Sequence, residues 1–149
     1  MLSRYEIISL SVSSMYHDIQ RIERTEMAKF GLKGPHAQCL LAMSRYPEGI
    51  TAARLCEICE KDKAAISRTL AELEEAGMVQ RQERGGNRYR ASLMLTDKGR
   101  EAAASVNQKA QQAVEVAGEG LDDAQREVFY RVLALIAGNL HAICKDGLE

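Results

Sequence analysis

A short amphipathic helix followed by a basic, glycine-centred hairpin is the pattern that most constrains the fold of this chain. The helix is predicted over residues 62–77, DKAAISRTLAELEEAG, with Asp62 as its N-cap and Gly77 as its left-handed stop. Ile66, Leu70 and Leu73 fall at i, i+4 and i+7 and form one apolar stripe. We therefore expect a helix with a single buried face.

The side of this helix opposite the stripe carries small, hydroxylated or basic side chains in its N-terminal half, and the acids lie in its C-terminal half. Side chains of these types can read base edges in the major groove of DNA, because arginine pairs with guanine and an alanine methyl contacts thymine. For Ala65, simple helix packing is the alternative interpretation. The predicted base-reading residues are Lys63, Ala64, Ala65, Ser67 and Arg68.

The flanking segments turn this helix into part of a larger motif. Upstream, TAARLCEICEK predicts a second short helix, joined to the first by a turn around Lys61. Downstream, residues 78–83 and 91–96 predict two strands around the basic tip RGGNRYR. A helix-turn-helix followed at once by a basic hairpin predicts a winged helix, a fold that binds duplex DNA.

The hairpin and the preceding helix supply further DNA-contact candidates. In the wing, Arg84, Asn87, Arg88 and Arg90 would bring positive charge to the minor groove or its phosphates. Near the start of the upstream helix of the helix-turn-helix, Thr51 and Arg54 are predicted phosphate contacts. Six basic residues of this region face only Glu83 and Asp97, and a solvated charged face is the alternative interpretation of the patch. The six are Arg81, Arg84, Arg88, Arg90, Lys98 and Arg100.

Composition limits the class of protein. The chain has 149 residues, 46% hydrophobic and 28% charged, which fits one globular domain. Its net charge is −1, but residues 61–100 hold nine Lys and Arg against six Asp and Glu, as expected for a local DNA-binding surface. No uninterrupted apolar run approaches the roughly 20 residues of a membrane span, and no signal peptide is recognisable. We expect a cytoplasmic protein without a membrane partner.

Apolar stripes on the flanking helices predict a dimer. A long helix over about residues 3–29 begins the chain, and two helices with apolar faces follow the wing. The last begins with an Asp122–Gln125 capping box. These helices expose more apolar surface than one winged domain can cover. The apolar positions are Ile8, Val12, Met15, Ile19 and Ile22, then Ala103, Val106, Ala110, Ala113, Val114 and Ala117, and finally Phe129, Val132, Leu133, Ile136, Leu140 and Ile143.

The expected fold class is therefore mainly α, an α+β winged helix. We predict one domain over residues 1–149, in which residues 34–96 form the winged helix-turn-helix and residues 1–33 and 97–149 form a helical dimerisation region.

The order of short motifs resembles the MarR family of bacterial transcriptional regulators over nearly the whole chain. These motifs are Gly31-Leu32, Ile50-Thr51-x-x-x-Leu55, Asp62-Lys63 with Ile66-Ser67-Arg68, Leu73-x-x-x-Gly77-Met78-Val79, and Leu95-Thr96-x-x-Gly99. The resemblance implies a homodimer that binds a palindromic operator, usually as a repressor released by a small molecule or by oxidation. That family often has Asp-x-Arg at the wing tip, where this chain has Asn87-Arg88-Tyr89, so Arg88 is the first choice for the minor groove and Arg90 the second.

A small aromatic or anionic effector is expected at the junction of the helical layer and the winged domain. There it could change the spacing of the two recognition helices. Core filling is the alternative role for each pocket candidate. These candidates are Tyr5, Met15, Tyr16, Met43 and Tyr46.

The cysteines leave a second hypothesis open. Cys56-x-x-Cys59 resembles a redox or metal pair, although both positions also suit small core residues. We expect no metal site, because about four converging ligands are needed, and no cofactor. No enzyme motif is present, so catalysis is not expected. A metal- or redox-responsive repressor and a winged-helix module that binds only proteins remain as alternatives.

Overall fold

The computed structural model describes residues 1–82 and 91–148 of the chain. These residues divide into two compact units, 1–111 and 112–149, with the boundary inside the fifth helix. The described elements, in chain order, are α1 Arg4–Ala28, α2 Gly34–Ser44, α3 Ala52–Cys59, α4 Lys63–Glu75, β1 Val79–Gln82, β2 Ser92–Leu95, α5 Asp97–Ala117 and α6 Asp123–Asp146. The predicted mainly helical winged-helix class is confirmed.

Side-chain caps explain where the helices begin. Ser3 and Glu6 form a capping box at the start of α1, and the Thr51 hydroxyl accepts the Arg54 amide at the start of α3. Asp122 and Gln125 form the predicted capping box of α6. Each bond satisfies an amide that would otherwise lack a partner within the helix.

The two strands pair antiparallel, with Val79 opposite Leu95 and Arg81 opposite Leu93. Side chains alternate between the core and solvent, so Leu93 and Leu95 are buried. Ile50 extends the sheet by one residue, because its amide donates to Leu93 and its carbonyl accepts from Leu93. The sheet is thereby joined to the segment that leads into α3.

The core of the first unit lies between α2, the helix-turn-helix, the sheet and the first half of α5. Gly99 lets α5 approach β1 closely, since a Cβ at this position would lie 2.0 Å from the Met78 carbonyl oxygen. Thr96 caps α5, accepting the Gly99 amide at 3.1 Å and donating to the Gly77 carbonyl at 2.6 Å. The largest fully buried side chains of this core are Met27, Leu40, Met43, Leu55, Leu70, Leu73, Met78, Leu93 and Val106.

The apolar face of α5 is buried only in the first half of the helix. Ala103 and Val106 are buried, whereas Val114 and Ala117 are exposed in the single chain. These two positions belong to the apolar surface that the sequence predicts to exceed what one winged domain can cover.

In the second unit, Arg126 fixes the start of α6 to the end of α5. Its guanidinium donates to Glu115 at 2.8 Å and to the Gly118 carbonyl at 3.0 Å. Beyond this contact α6 has no buried residue. Its apolar side chains, including Phe129 and Leu140, are exposed.

Helix α6 is also long and apolar enough to cross a membrane by length and composition alone, with a mean hydropathy of 1.3 over 18 residues. It reaches this average although Arg131 and His141 interrupt its apolar residues. The predicted stripe runs along one side of the helix, a pattern typical of a helix that packs against protein.

Candidate nucleic-acid interface

Helix α4 has the predicted amphipathic form. The Asp62 carboxylate accepts the Ala65 amide at 2.7 Å, and Gly77, just after the helix, has φ +75°. Ile66, Leu70 and Leu73 are buried against the core. The N-cap, the stop and the stripe are therefore as predicted.

The predicted base-reading residues lie on the outer side of α4, away from this stripe. Lys63, Ala64, Ser67 and Arg68 are exposed, and Ala65 is half-buried. The arrangement presents two cations and a hydroxyl from the first two turns of a helix whose opposite side is anchored. Such a helix can enter a major groove without uncovering its core.

The phosphate-contact candidates both make local bonds. The Thr51 hydroxyl serves as the α3 cap, while the Arg54 guanidinium donates to Glu57 at 2.8 Å. Bonds to Glu57 and Tyr46 raise the pKa of Arg54, which is therefore fully charged. Because Arg54 is more than half exposed, it can exchange Glu57 for a phosphate.

The wing candidates Arg84, Asn87, Arg88 and Arg90 lie outside the described residues. Of the predicted basic patch, the described members have structural partners. Arg81 donates to Glu74 at 2.7 and 3.1 Å, in a pair that is largely buried. Arg100 bonds the Leu95 carbonyl and Asp97, and Lys98 bonds the Ala76 carbonyl.

The expectation that the patch faces only Glu83 and Asp97 was therefore wrong for Arg81. Glu74 precedes it by seven positions, and the turn after α4 folds the strand back so that the two side chains meet. Around the first turns of α4, Lys61, Lys63 and Arg68 add exposed positive charge.

A second acid of α4 has a partner that sequence reasoning missed. His36, buried in the first turn of α2, approaches Glu72 with its Nε2 2.6 Å from a carboxylate oxygen. This bond, with Lys33 as a smaller contributor, lowers the pKa of Glu72 and keeps its carboxylate ionised. No local spacing signals this contact, because the two residues lie 36 positions apart in the chain.

Two of the cysteines, Cys39 and Cys59, do not have the features of a thiol sensor. Burial raises the pKa of the Cys39 thiol to about 12, with Cys59 and Cys56 nearby as smaller causes. Burial also raises the pKa of Cys59. A thiol held protonated is a poor nucleophile and a poor metal ligand. Among the described residues no group of three His, Cys, Asp or Glu side chains could hold a metal.

The effector candidates do not line one cavity. Met43 is buried and lines a cavity of about 830 Å³, whereas Tyr16 lines a separate cavity of about 230 Å³ beside Glu23. Tyr5 and Met15 are exposed on α1. Tyr46 is partly buried and packs against the core.

The cavity that Met43 lines lies between α2, the C-terminal end of α3, β2 and the first half of α5. Leu41, Ile58 and Leu95 contribute apolar walls, and Arg45 and Arg100 contribute positive charge. None of these five was named from the sequence as a pocket residue. A pocket assembled from four elements has no signature in any one of them.

Comparison with known proteins agrees with this architecture. A family model described as MarR family matches residues 30–88. No curated protein matches the sequence.

Solved structures share the fold along almost the whole chain. A MarR transcriptional regulator from Methanosarcina mazei Go1 has a TM-score of 0.83 at 23% identity, covering 95% of this chain and 94% of that one. A MarR protein from Peptoclostridium difficile has a TM-score of 0.81 at 20% identity, covering 94% and 92%. A MarR-family regulator from Listeria monocytogenes, complexed with 26mer DNA, has a TM-score of 0.79 at 18% identity, covering 100% and 99%. The family model thus covers the helix-turn-helix segment of this chain, and the solved structures share its winged-helix fold.

Proposed function

We propose that this protein is a homodimeric, sequence-specific DNA-binding repressor in the cytoplasm, which binds a palindromic operator and has no catalytic activity. The observation that carries the proposal is the outer side of α4, where Lys63, Ser67 and Arg68 are exposed on a helix whose other side is buried. The DNA complex of the Listeria monocytogenes relative supports it by similarity of fold.

In this proposal α4 enters the major groove. Arg68 donates to the acceptors of a guanine, and the methyl groups of Ala64 and Ala65 contact thymine. Thr51 and Arg54 contact phosphates that fix the register of the helix. The wing residues Arg84, Asn87, Arg88 and Arg90 are assigned to the minor groove or its flanking phosphates on the basis of sequence.

The second copy of the chain is proposed to cover the exposed apolar faces of the first and last helices. On α1 the exposed residues include Ile8, Val12 and Ile19, and on α6 they include Phe129 and Leu140. An apolar stripe exposed along a whole helix is uncommon on a monomer. Two copies would present two α4 helices, and a dyad-related pair reads half-sites about one helical turn apart.

Release by a small aromatic or anionic effector is the proposed regulation. The cavity of about 830 Å³ is large enough for a drug-sized molecule, and it lies against α3 of the helix-turn-helix. Arg45 and Arg100 suit a carboxylate, while Leu41 and Ile58 suit an aromatic ring. A ligand that prefers one position of α3 would shift the population of DNA-competent dimers.

Selection of bound duplexes from a random pool tests the proposal. We expect a palindromic consensus with half-sites about 10 base pairs apart, centre to centre. We also expect an affinity that falls steeply with salt, with a slope of about −0.9 per phosphate contacted. Failure to enrich any sequence in dilute salt would favour the protein-interaction module instead. Loss of binding on zinc or peroxide treatment would favour the cysteine-based alternative.

A further inference from the structure

His36 connects two helices through both nitrogens of its ring. The side chain is 6% exposed, at the start of α2. The Lys33 amide donates to Nδ1 at 2.9 Å, and Nε2 lies 2.6 Å from Glu72 Oε2 on α4. Because Nδ1 is occupied as an acceptor, the hydrogen of the neutral ring lies on Nε2 and is donated to Glu72. The ring therefore bonds the backbone that leads into α2 on one side and α4 on the other.

Glu72 lies on the same side of α4 as Arg68. Ala65, Arg68, Thr69 and Glu72 are spaced i, i+3, i+4 and i+7, so the bond to His36 is one turn away from the predicted guanine contact. Glu74, about 200° away around the helix, is held by Arg81 of β1. The C-terminal half of α4 is thus fixed on two sides.

These hydrogen bonds can fix the rotation of α4 about its own axis, which the buried apolar stripe does not. Apolar packing is largely non-directional, and a helix can rotate slightly about its axis while Ile66 and Leu70 stay buried. A rotation of about 10° moves a side-chain tip by about 1 Å at the outer radius of a helix. Hydrogen-bond donors and acceptors tolerate a range of only about 0.5 Å, so this displacement is enough to break a bidentate base contact.

We propose that His36 is a positioning residue for DNA recognition: through its Nε2–H bond to Glu72 it fixes the rotation of α4 and thereby the direction of Arg68. The assignment rests on the proposed function, because it concerns how the recognition helix is aimed. Lys33 Nζ, at 3.7 Å from the other Glu72 oxygen, is mostly exposed and cannot replace the buried ring.

The first test measures the ratio of affinities for the selected operator and a scrambled duplex by fluorescence anisotropy. His36→Phe keeps the ring volume but removes both hydrogen bonds, and we expect the ratio to fall about tenfold while scrambled-duplex affinity stays within about twofold. His36→Gln keeps one donor and one acceptor, and is expected to restore the ratio to within about threefold of the parent.

A matched control breaks an ion pair far along the chain. Glu115→Gln removes the charged partner of Arg126 in the second unit and should leave the ratio unchanged. If His36→Phe does not fold, Glu72→Met removes the same bond from its more exposed end, where Glu72 is 43% exposed. An unchanged ratio in the folded variant, or failure of His36→Gln to rescue it, overturns the proposal.

A second measurement does not depend on DNA. In the free protein, ¹⁵N–¹H spectra should show the His36 hydrogen on Nε2, and His36→Phe should shift the amides of residues 63–72 while His36→Gln leaves them near the parent positions. A hydrogen on Nδ1, or unshifted amides, contradicts the positioning role. If the parent binds no duplex, the proposed function fails, and these spectra alone decide whether His36 positions α4.

Discussion

At the residue scale, Arg68 is the side chain to which the proposed function assigns the main base contact. It is exposed on α4, one turn from the anchored Glu72, and its planar guanidinium can bond guanine at two atoms. Arg68→Ala is expected to weaken operator binding by about 1–3 kcal/mol and to relax specificity at one position of each half-site. Anisotropy titrations against single-base operator variants measure both. Equal selectivity of variant and parent would remove Arg68 from the interface.

Burial of Glu23 leads to a prediction about how the stability of the fold depends on pH. It is buried in α1, and burial raises its pKa. Because the folded pKa lies above the unfolded one, its contribution to stability is complete below the unfolded pKa and is lost as pH rises through the folded pKa. Glu23→Gln should therefore stabilise the fold at pH 7.5, by on the order of 1 kcal/mol, and have little effect near pH 4.

Urea unfolding at the two pH values measures this difference. Glu101→Gln, which changes an exposed acid on α5, is the control, and its effect on the free energy of unfolding should be the same at both pH values. A Glu23→Gln protein less stable than the parent at pH 7.5 would show that the carboxylate makes a favourable contact when ionised.

Sequence and structure agree best on residues whose role is local. Asp62, Gly77 and the stripe at Ile66 and Leu70 follow from spacing within one helix, so they could be predicted. Pairs such as His36 and Glu72 could not, because they depend on how α2 packs against α4. For the same reason the positive charge of the site was overestimated, since Arg81 is paired with Glu74.

At the element scale, the close approach of α5 to β1 tests the packing of the winged domain. A Cβ on Gly99 would lie 2.0 Å from the Met78 carbonyl oxygen, so Gly99→Ala must push two backbone segments apart. We expect a loss of about 1–3 kcal/mol in the free energy of unfolding. Gly138→Ala in α6 is the matched control, because its Cβ meets nothing within 4 Å.

Thermal and urea unfolding compare the stabilities of the Gly99→Ala and Gly138→Ala variants. Gly138→Ala should be neutral or stabilising by up to about 1 kcal/mol, through helix propensity alone. If both variants have the same stability, the approach at Gly99 is looser than the distance implies.

Element boundaries were predicted well, because caps such as Asp62 and Thr96 are local. Periodicity marks the apolar face of α5 along the whole helix, but it does not show which part of that face is covered within one chain.

At the scale of the whole molecule, the exposed apolar stripe of α6 decides between monomer and dimer. Phe129→Lys with Leu140→Lys places two charges within that stripe, at positions already exposed in the single chain, so the fold itself should survive. We expect sedimentation velocity to change from dimer to monomer. Operator affinity should also fall by at least about 100-fold, because two linked half-site contacts become independent. Ala134→Lys adds a charge on the opposite side of α6 and should remain dimeric. A double variant that still sediments as a dimer would move the interface away from α6, leaving the α1 stripe as the surface on which the second copy must pack.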